Sequence, residues 1–337
     1  MYLTSTGLFC PVGFDSESAC TAMRAGIAGF SELPYTDSTG EPVLGATASW
    51  PGATLGREER MLHMLESAIR QCIVDLEPRE IEQMPLFVGL SDRAGPGGCS
   101  APGDRILREV ELASGLRFAP QSRVIPGCRT TGFEALQIAR DAMRDRGIPS
   151  CIISGVDSYI DEPSLRSLEY QGRLKRPFHS DGVIPGEAAA AVRVSALPGA
   201  GSPRVIGLGF GTEQATVLTE EPPLLGLGLT GAARSALSDA GLEMHQTNFR
   251  SSDVTGESYG FREQALVVGR LLRVHREDGY PLWHASENIG DTGAAAGVVQ
   301  LVRCVHAAHR GYAPGRVGMC FASADAGPRA VALLALD

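Results

Sequence analysis

The chain has 337 residues, of which 43% are hydrophobic and 20% charged, a composition typical of a globular protein with ample material for a core. Its formal net charge is −9, and it contains no basic run, which argues against nucleic acid and anionic membranes as partners. No stretch reaches the roughly 18 apolar residues of a membrane span. The first residues also lack the basic and apolar regions of a signal peptide, so we expect a cytoplasmic protein.

Hydrophobic periodicity and turn residues predict alternating strands and helices, and therefore an α/β fold. Strands are predicted, in chain order, at residues 1–13, 85–89, 149–158, 187–194, 203–211 and 317–325. Helices are predicted at residues 17–29, 57–75, 131–147, 225–240, 263–274 and 292–311. Residues 91–104 and 214–223 are rich in glycine, proline and polar residues and are predicted to be loops.

Two segments of the chain resemble each other. Residues 131–147 and 292–311 each open on Thr-Gly, continue with helical spacing of small and apolar residues and end on a glycine. A strand follows each of them. The pattern indicates a duplicated helix-then-strand unit, with the best boundary between the halves at residues 196–203.

The eight cysteines form no Cys-x-x-Cys pair, so zinc and redox motifs have no support. Several lie within apolar runs, as Cys151 does, and are predicted to be buried thiols in a reducing compartment. Cys128 differs because it immediately precedes the first Thr-Gly helix.

Residues 286–297 read Ser-Glu-Asn-Ile-Gly-Asp-Thr-Gly-Ala-Ala-Ala-Gly. They resemble the Lys-x-Asn-Ile-Gly-His-x-x-x-Ala-Ala-Gly segment of the β-ketoacyl synthases, a branch of the thiolase superfamily. Residues 6–13 are similar to that family's opening strand, and residues 176–188 to its Pro-Phe-Asp…Gly-Glu-Gly-Ala segment. The resemblance implies a thiolase-like α/β fold with a layered α-β-α-β-α core, made of half-domains 1–200 and 201–337.

The family's reaction needs a cysteine at a helix N-terminus and two histidines. Aligning the chain on Gly132 places Arg129 at the nucleophile position and Cys128 one residue early. The first histidine falls on Asp253 or, in another alignment, on Ser252, and the second falls on Asp291. The resemblance therefore implies a retained scaffold without condensing chemistry.

A guanidinium among carboxylates in one pocket predicts an ion pair, since a buried charge without a partner is costly. We expect Arg129 to contact Asp291 and fill the former active site. The predicted pocket residues are Cys128, Arg129, Thr130, Asp253, Thr255, Asp291 and Ser323. Three alternatives stay open: these charges face solvent, Arg129 binds a carboxylate or phosphate, or Asp253, Glu257 and Asp291 bind a cation. We expect no cofactor and no metal.

The preferred interpretation is a non-catalytic ketosynthase-like protein that acts as a binding, scaffold or accessory partner. The resemblance implies a homodimer, or a heterodimer with an active synthase, and an acyl carrier protein or a secretion effector is a candidate partner. The sequence also resembles the ketoacyl-synthase-like proteins of type VI secretion loci. The alternative is an acyltransferase of the 3-oxoacyl-ACP synthase type that uses Cys128 as its nucleophile.

Overall fold

The computed structural model describes residues 1–48, 55–92 and 103–336, without the side chains of residues 103 and 104. The strands are β1 (Tyr2–Phe9), β2 (Phe30–Thr36), β3 (Pro42–Ala46), β4 (Leu86–Ser91), β5 (Arg123–Gly127), β6 (Ser150–Ser158), β7 (Glu187–Ser195), β8 (Arg204–Thr212), β9 (Phe249–Ser252), β10 (Leu282–His284), β11 (Val317–Ser323) and β12 (Pro328–Ala335). The helices are α1 (Ser16–Arg24), α2 (Arg57–Cys72), α3 (Pro78–Ile81), α4 (Gly103–Ser114), α5 (Thr131–Arg146), α6 (Glu162–Tyr170), α7 (Leu227–Ala240), α8 (Ser258–Leu271), α9 (Ser286–Ile289) and α10 (Ala296–His309). Single 3₁₀ turns occur at Met244–Gln246 and Gly293–Ala295.

Ten strands form one sheet in the order β10-β9-β11-β12-β8-β1-β7-β6-β4-β5. The sheet consists of two groups of five strands, β1-β7-β6-β4-β5 and β8-β12-β11-β9-β10. In each group the first two pairings are antiparallel and the last two are parallel. Within the sheet the two groups join at β1 and β8, where Tyr2 opposes Arg204. The strand pattern therefore contains the internal repeat predicted from the sequence.

Helices α5 and α10, which belong to the two similar segments, pack against each other and against strands of both groups. Their close approach depends on Gly132, where an added Cβ would lie 2.8 Å from Cγ2 of Val298. Helix α2 packs on β1, β6 and β7, and α7 packs on β8 and β12. Separate apolar clusters lie under α2, under α7 and around α10. The predicted α/β class and layering are confirmed.

Several predicted element bounds are wrong. Helix α1 ends at Arg24, five residues before the predicted end, because Gly26 takes a positive φ of 72°. Helix α8 begins at Ser258, ahead of the predicted residue 263. Helix α10 begins at Ala296, after a 3₁₀ turn, because Gly293 takes a φ of 47°. The strands β2, β3, β5, β9, β10 and β12 and the helices α3, α4, α6 and α9 were not predicted.

Most of the predicted loop at residues 91–104, including Cys99, lies outside the described residues. Six of the other seven cysteines are buried free thiols, as predicted, and Cys128 is partly exposed. The division into half-domains 1–200 and 201–337 stays a prediction. Across the described ranges, none of the helices has the length and apolar character that crossing a membrane requires.

Candidate functional site

Arg129 lies in the turn between β5 and α5, at the edge of the two helix layers. Its residue surface is only 5% exposed. The Nε atom donates to Oδ1 of Asp291 at 3.3 Å, and Nη2 donates to Oδ2 of the same carboxylate. Asp291 reaches this point because α9 ends at Ile289 and the backbone turns at Gly290, which has a φ of 69°. The predicted contact between Arg129 and Asp291 is therefore present.

The second carboxylate beside Arg129 is Asp325, not Asp253 as the sequence predicts. Nη1 of Arg129 donates to Oδ1 of Asp325 at 2.7 Å. Asp253 has no ion pair with Arg129 among the described residues. It instead accepts a 2.7 Å hydrogen bond from the backbone N–H of Ser323. The side chain of Asp253 is turned to the end of β11, where a backbone donor is available.

Asp325 connects Arg129 to a second buried arginine, Arg173. Nη1 of Arg173 donates to Oδ2 of Asp325 at 2.6 Å, and its Nε and Nη2 donate to Glu257 at 2.7 and 2.9 Å. The result is a chain of alternating charges that runs Asp291, Arg129, Asp325, Arg173, Glu257. Three carboxylates thus neutralise two guanidinium groups where the sequence alignment places the family's nucleophile and one histidine.

The electrostatics of this ion network keep its central groups charged. Burial opposes ionisation of Asp325, but Arg129 and Arg173 together lower the pKa of its carboxyl well below the usual range. Burial likewise disfavours charge on Arg129, and Asp291 and Asp325 more than offset this, so its pKa is raised further. Removing one member of such a buried network is costly, because it leaves another buried charge without compensation.

The pKa of Asp253 is shifted in the opposite direction from that of Asp325. Burial raises the pKa of its carboxyl to about 6, against the lowering effect of Arg129 and of the Ser323 hydrogen bond. Beside it, Glu263 on α8 forms a fully buried ion pair with Arg329, with Nε 2.7 Å from Oε1. The Oγ of Ser323 donates to the other oxygen of Glu263 at 2.8 Å. Asp253 is thus a group that changes charge in mildly acidic solution.

Cys128 lines a cleft of about 370 Å³ on the other side of Asp325. Its sulfur lies 4.0 Å from the hydroxyl group of Ser91 and 4.0 Å from that of Tyr159. Burial raises the pKa of the Cys128 thiol to about 12, and Arg129 only partly offsets this. None of the described groups that contact the sulfur is a histidine or another base. The arrangement lacks the activation that a nucleophilic cysteine requires.

The remaining predicted pocket residues divide between two spaces. Thr130 lines the cleft beside Cys128, and its hydroxyl donates to Glu134 at 2.7 Å. Thr255 and Ser323 line a smaller cavity of about 40 Å³, together with Arg129 and Asp253. Asp325 lines both spaces. The structure therefore brings six of the predicted residues to these two spaces and holds the seventh, Asp291, behind Arg129.

The three alternative interpretations of the charges do not fit this geometry. The side chains of Arg129 and Asp291 are only 6% and 2% exposed, so they do not face solvent. Arg129 is not free for an external anion because Asp291 and Asp325 occupy its donors. No group of three potential metal ligands occurs within the ranges that the structure describes. Glu257 instead pairs with Arg173.

Sequence reasoning missed Asp325 and Arg173. A cation at position 129 calls for more than one carboxylate, and Asp325, in the loop that follows β11, was available to satisfy it. Arg173 had no comparable signal, because it lies in a connection after α6 whose path the sequence does not determine.

No protein-family model matches the chain. Among curated proteins, a phenolphthiocerol/phthiocerol polyketide synthase of Mycobacterium bovis is 26% identical over 212 residues, which are 58% of this chain and 11% of that protein. The highly reducing polyketide synthase cm3B of Cordyceps militaris is 26% identical over 263 residues, which are 71% of this chain and 10% of that protein. The chain thus spans about a tenth of the length of these relatives.

Solved structures match over the whole chain. The ishigamide ketosynthase/chain length factor has a TM-score of 0.77 at 19% identity, with 100% of this chain and 98% of that chain covered. The ketosynthase ApeO in complex with its chain length factor ApeC, from Xenorhabdus doucetiae, gives a TM-score of 0.78 at 13% identity, with 100% and 98% covered. A type II polyketide acyl-carrier protein in complex with its ketosynthase (AntDE:AntF) gives 0.81 at 15% identity, with 100% and 99% covered. The chain therefore has the thiolase fold that these ketosynthases share, and its sequence is similar to parts of polyketide synthases.

Proposed function

We propose that this ketosynthase-like chain is a non-catalytic protein that pairs with an active ketosynthase. One observation carries the proposal: the ion network of Arg129, Asp291 and Asp325 occupies the positions that the sequence alignment assigns to the family's cysteine and one of its histidines. The network is buried and satisfies its own charges. It therefore has the properties of a structural feature that replaces a reaction centre.

The chemistry supports this proposal in two ways. A guanidinium that stays protonated cannot attack a thioester, and an ionised carboxylate cannot donate a hydrogen bond to a developing enolate oxygen. Cys128, with a pKa of about 12, has roughly one thiolate per 10⁵ thiols at pH 7. The remaining thiol is consequently a very poor acyl acceptor.

The solved relatives support a paired assembly. Two of them are ketosynthases with a chain length factor, and this chain covers 98% of each matched chain. A third is a ketosynthase with an acyl-carrier protein. By this likeness we propose a heterodimer with a synthase that carries the complete cysteine and histidine set. A homodimer and a direct complex with an acyl carrier protein are the competing assemblies.

The experiment is to mix the purified chain with a ketosynthase of the same organism and measure mass by size-exclusion chromatography with light scattering. The mixture is then incubated with an acyl thioester, and the acylated peptides are identified by mass spectrometry. The proposal predicts a complex of heterodimer mass and an acyl group only on the ketosynthase cysteine. Failure to form a heterodimer with any such ketosynthase, or an acyl group on Cys128, contradicts it.

A narrower form of the proposal is an adaptor role at a type VI secretion locus in the cytoplasm. Its support is the overall resemblance to the ketoacyl-synthase-like proteins of those loci. This form predicts that deleting the gene abolishes export of one effector while secretion of the tube protein continues. Unchanged effector export would contradict this role and would leave the heterodimer proposal to its own test.

The competing enzymatic function, an acyltransferase, is supported by one feature, the cleft of about 370 Å³ that Cys128 lines. It requires Cys128 to carry an acyl group as a thioester. Mass spectrometry of the intact protein detects such a group directly and so distinguishes the two functions.

A further inference from the structure

Arg303 on α10 is a buried arginine without a counter-ion. Its residue surface is 7% exposed, and Nη1 is fully buried without a hydrogen-bond partner. Throughout the described ranges, it forms neither an ion pair nor a hydrogen bond. Its one specific contact is with the ring of partly buried Trp283, whose centroid lies 5.0 Å from the guanidinium carbon.

A second unpaired arginine lies close by. The guanidinium carbon of Arg24, at the end of α1, is 4.4 Å from the ring centroid of Tyr312. That ring in turn lies 6.0 Å from the ring of Trp283. Arg24 is exposed and has no ion pair with any described residue. Each of these two neighbouring rings therefore contacts one guanidinium group that has no ion pair: Tyr312 contacts Arg24, and Trp283 contacts Arg303.

The carboxylate nearest to this group in the hydrogen-bond network is already occupied. Glu17 accepts from Nε2 of His306 and from Nε of Arg310, each at 3.2 Å. His306 in turn contacts the hydroxyl of Tyr312 through Nδ1 at 2.9 Å. Glu17 is thus held by Arg310 and His306 and pairs with neither Arg24 nor Arg303.

The lack of a partner is unusual within this molecule. The other arginines that are buried to the same degree, Arg129, Arg173 and Arg329, are each held by at least one carboxylate. Removing a charge from water is costly unless an opposite charge compensates, and a single cation–π contact offsets only part of that cost. Among these four buried arginines, Arg303 is therefore the one whose charge no described carboxylate compensates.

We propose that Arg303 and Arg24, on the surface formed by α1, α10 and β10, bind an oxyanion of the carboxylate or phosphate class. A guanidinium presents two parallel N–H donors, which match the two oxygens of either group. The rings of Trp283 and Tyr312 hold the two guanidinium groups in place through their faces. This site is separate from the ion network, and its existence does not depend on the proposed assembly.

The test uses the emission of Trp283, since Arg303 lies against its ring. The other tryptophan, Trp50, is changed to phenylalanine (W50F), so that Trp283 is the single fluorescent reporter. The full chain is titrated with inorganic phosphate and with citrate, against sodium chloride at equal ionic strength. The site predicts a saturable emission change with phosphate, citrate or both, and the order of the two affinities identifies the preferred class.

Matched variants identify the residues responsible. R303M should abolish the saturable change, R24Q should weaken the affinity about tenfold, and R234Q, which changes an exposed arginine on α7, should leave it unaltered. R303M should also retain its circular dichroism and resist urea at least as well as the parent in anion-free buffer, because it removes an uncompensated charge. No saturable change, an unaltered titration in both R303M and R24Q, or an R303M variant that unfolds while R24Q binds normally would overturn the proposal.

Discussion

Nη1 of Arg129 and Oδ1 of Asp325 lie 2.7 Å apart, although the two residues are 196 positions apart in the chain. The contact joins the turn before α5 to the loop that follows β11. Because Arg173 holds the other oxygen of the same carboxylate, Asp325 connects two guanidinium groups. The ion network therefore ties these two loops to each other by charge.

Removing the shared carboxylate should be costly. D325N leaves Arg129 with one carboxylate and Arg173 with another, and the amide nitrogen of asparagine replaces one of the two acceptor oxygens, so one guanidinium group loses its short hydrogen bond. We expect the free energy of unfolding to fall by about 3–5 kcal/mol, the range for breaking one partner of a buried pair. Urea unfolding followed by circular dichroism measures this.

The matched control for D325N is D145N, because Asp145 pairs with Arg144 on the surface, where both side chains are more than half exposed. Its expected effect on the free energy of unfolding is small, because solvent screens an exposed ion pair. Equal effects of D325N and D145N would mean that the buried network contributes nothing to stability.

Arg129 and Asp291 should show strong energetic coupling. R129M and D291N each leave one buried charge with fewer partners, whereas the double variant removes both charges at once. The double variant should therefore be less destabilised than the sum of the two single variants, with a coupling free energy of about 1–3 kcal/mol. A double-mutant cycle in urea measures this. Strict additivity would contradict a direct interaction.

Asp253 should give the protein a specific dependence of stability on pH. Its folded pKa of about 6 lies above the unfolded value of 3.8. The folded state therefore binds the proton more tightly, and the stabilisation from this group is complete below pH 4 and is lost as the pH rises to about 6. D253N, which can still accept the hydrogen bond from Ser323, removes this loss.

We therefore expect D253N to be more stable than the parent at pH 7 by up to about 3 kcal/mol and to have a smaller decline in stability between pH 4 and 6. Part of the decline should remain, because burial also raises the pKa of Asp157 to about 6. The exposed variant E220Q is the control and should follow the parent. A D253N protein that is less stable than the parent at pH 7, with the same decline, would show that Asp253 is ionised without penalty.

The close packing of α5 on α10 predicts that Gly132 cannot be enlarged without loss of stability. In G132A the new Cβ would lie 2.8 Å from Cγ2 and 3.1 Å from the backbone nitrogen of Val298, so the helices must separate. The expected loss is about 1–3 kcal/mol. G231A on α7 is the control, because its Cβ meets no atom within 4 Å and alanine favours a helix by about 1 kcal/mol. Thermal unfolding of both should give shifts of opposite sign, and a neutral G132A would contradict the predicted contact.

The fold was largely predictable because its strongest signals are local. The helical spacing after Thr131 and the small residues around Gly297 identify the paired helices, and the strand repeat follows from them. The bounds of α8 and α10 were not predictable, because a 3₁₀ turn or an extra turn of helix depends on packing with the rest of the molecule.

The site was predictable only at the positions that alignment supplied. Arg129 and Asp291 follow from motifs on fixed elements, and charge balance then predicts their contact. Alignment placed Asp253 in the same pocket but could not give the direction of its side chain, which a backbone N–H of Ser323 decides. Asp325 and Arg173 come from loops, and their meeting depends on the three-dimensional path of those loops.

The claim that this molecule has no condensing machinery is tested most directly by intact-mass spectrometry. The purified chain is incubated separately with an acyl-CoA and with cerulenin at pH 7.5, beside its C128A variant. We predict the unmodified mass for both proteins, because burial holds the Cys128 thiol protonated with a pKa of about 12. A stoichiometric acyl or cerulenin adduct on the parent that is missing from C128A would contradict the claim.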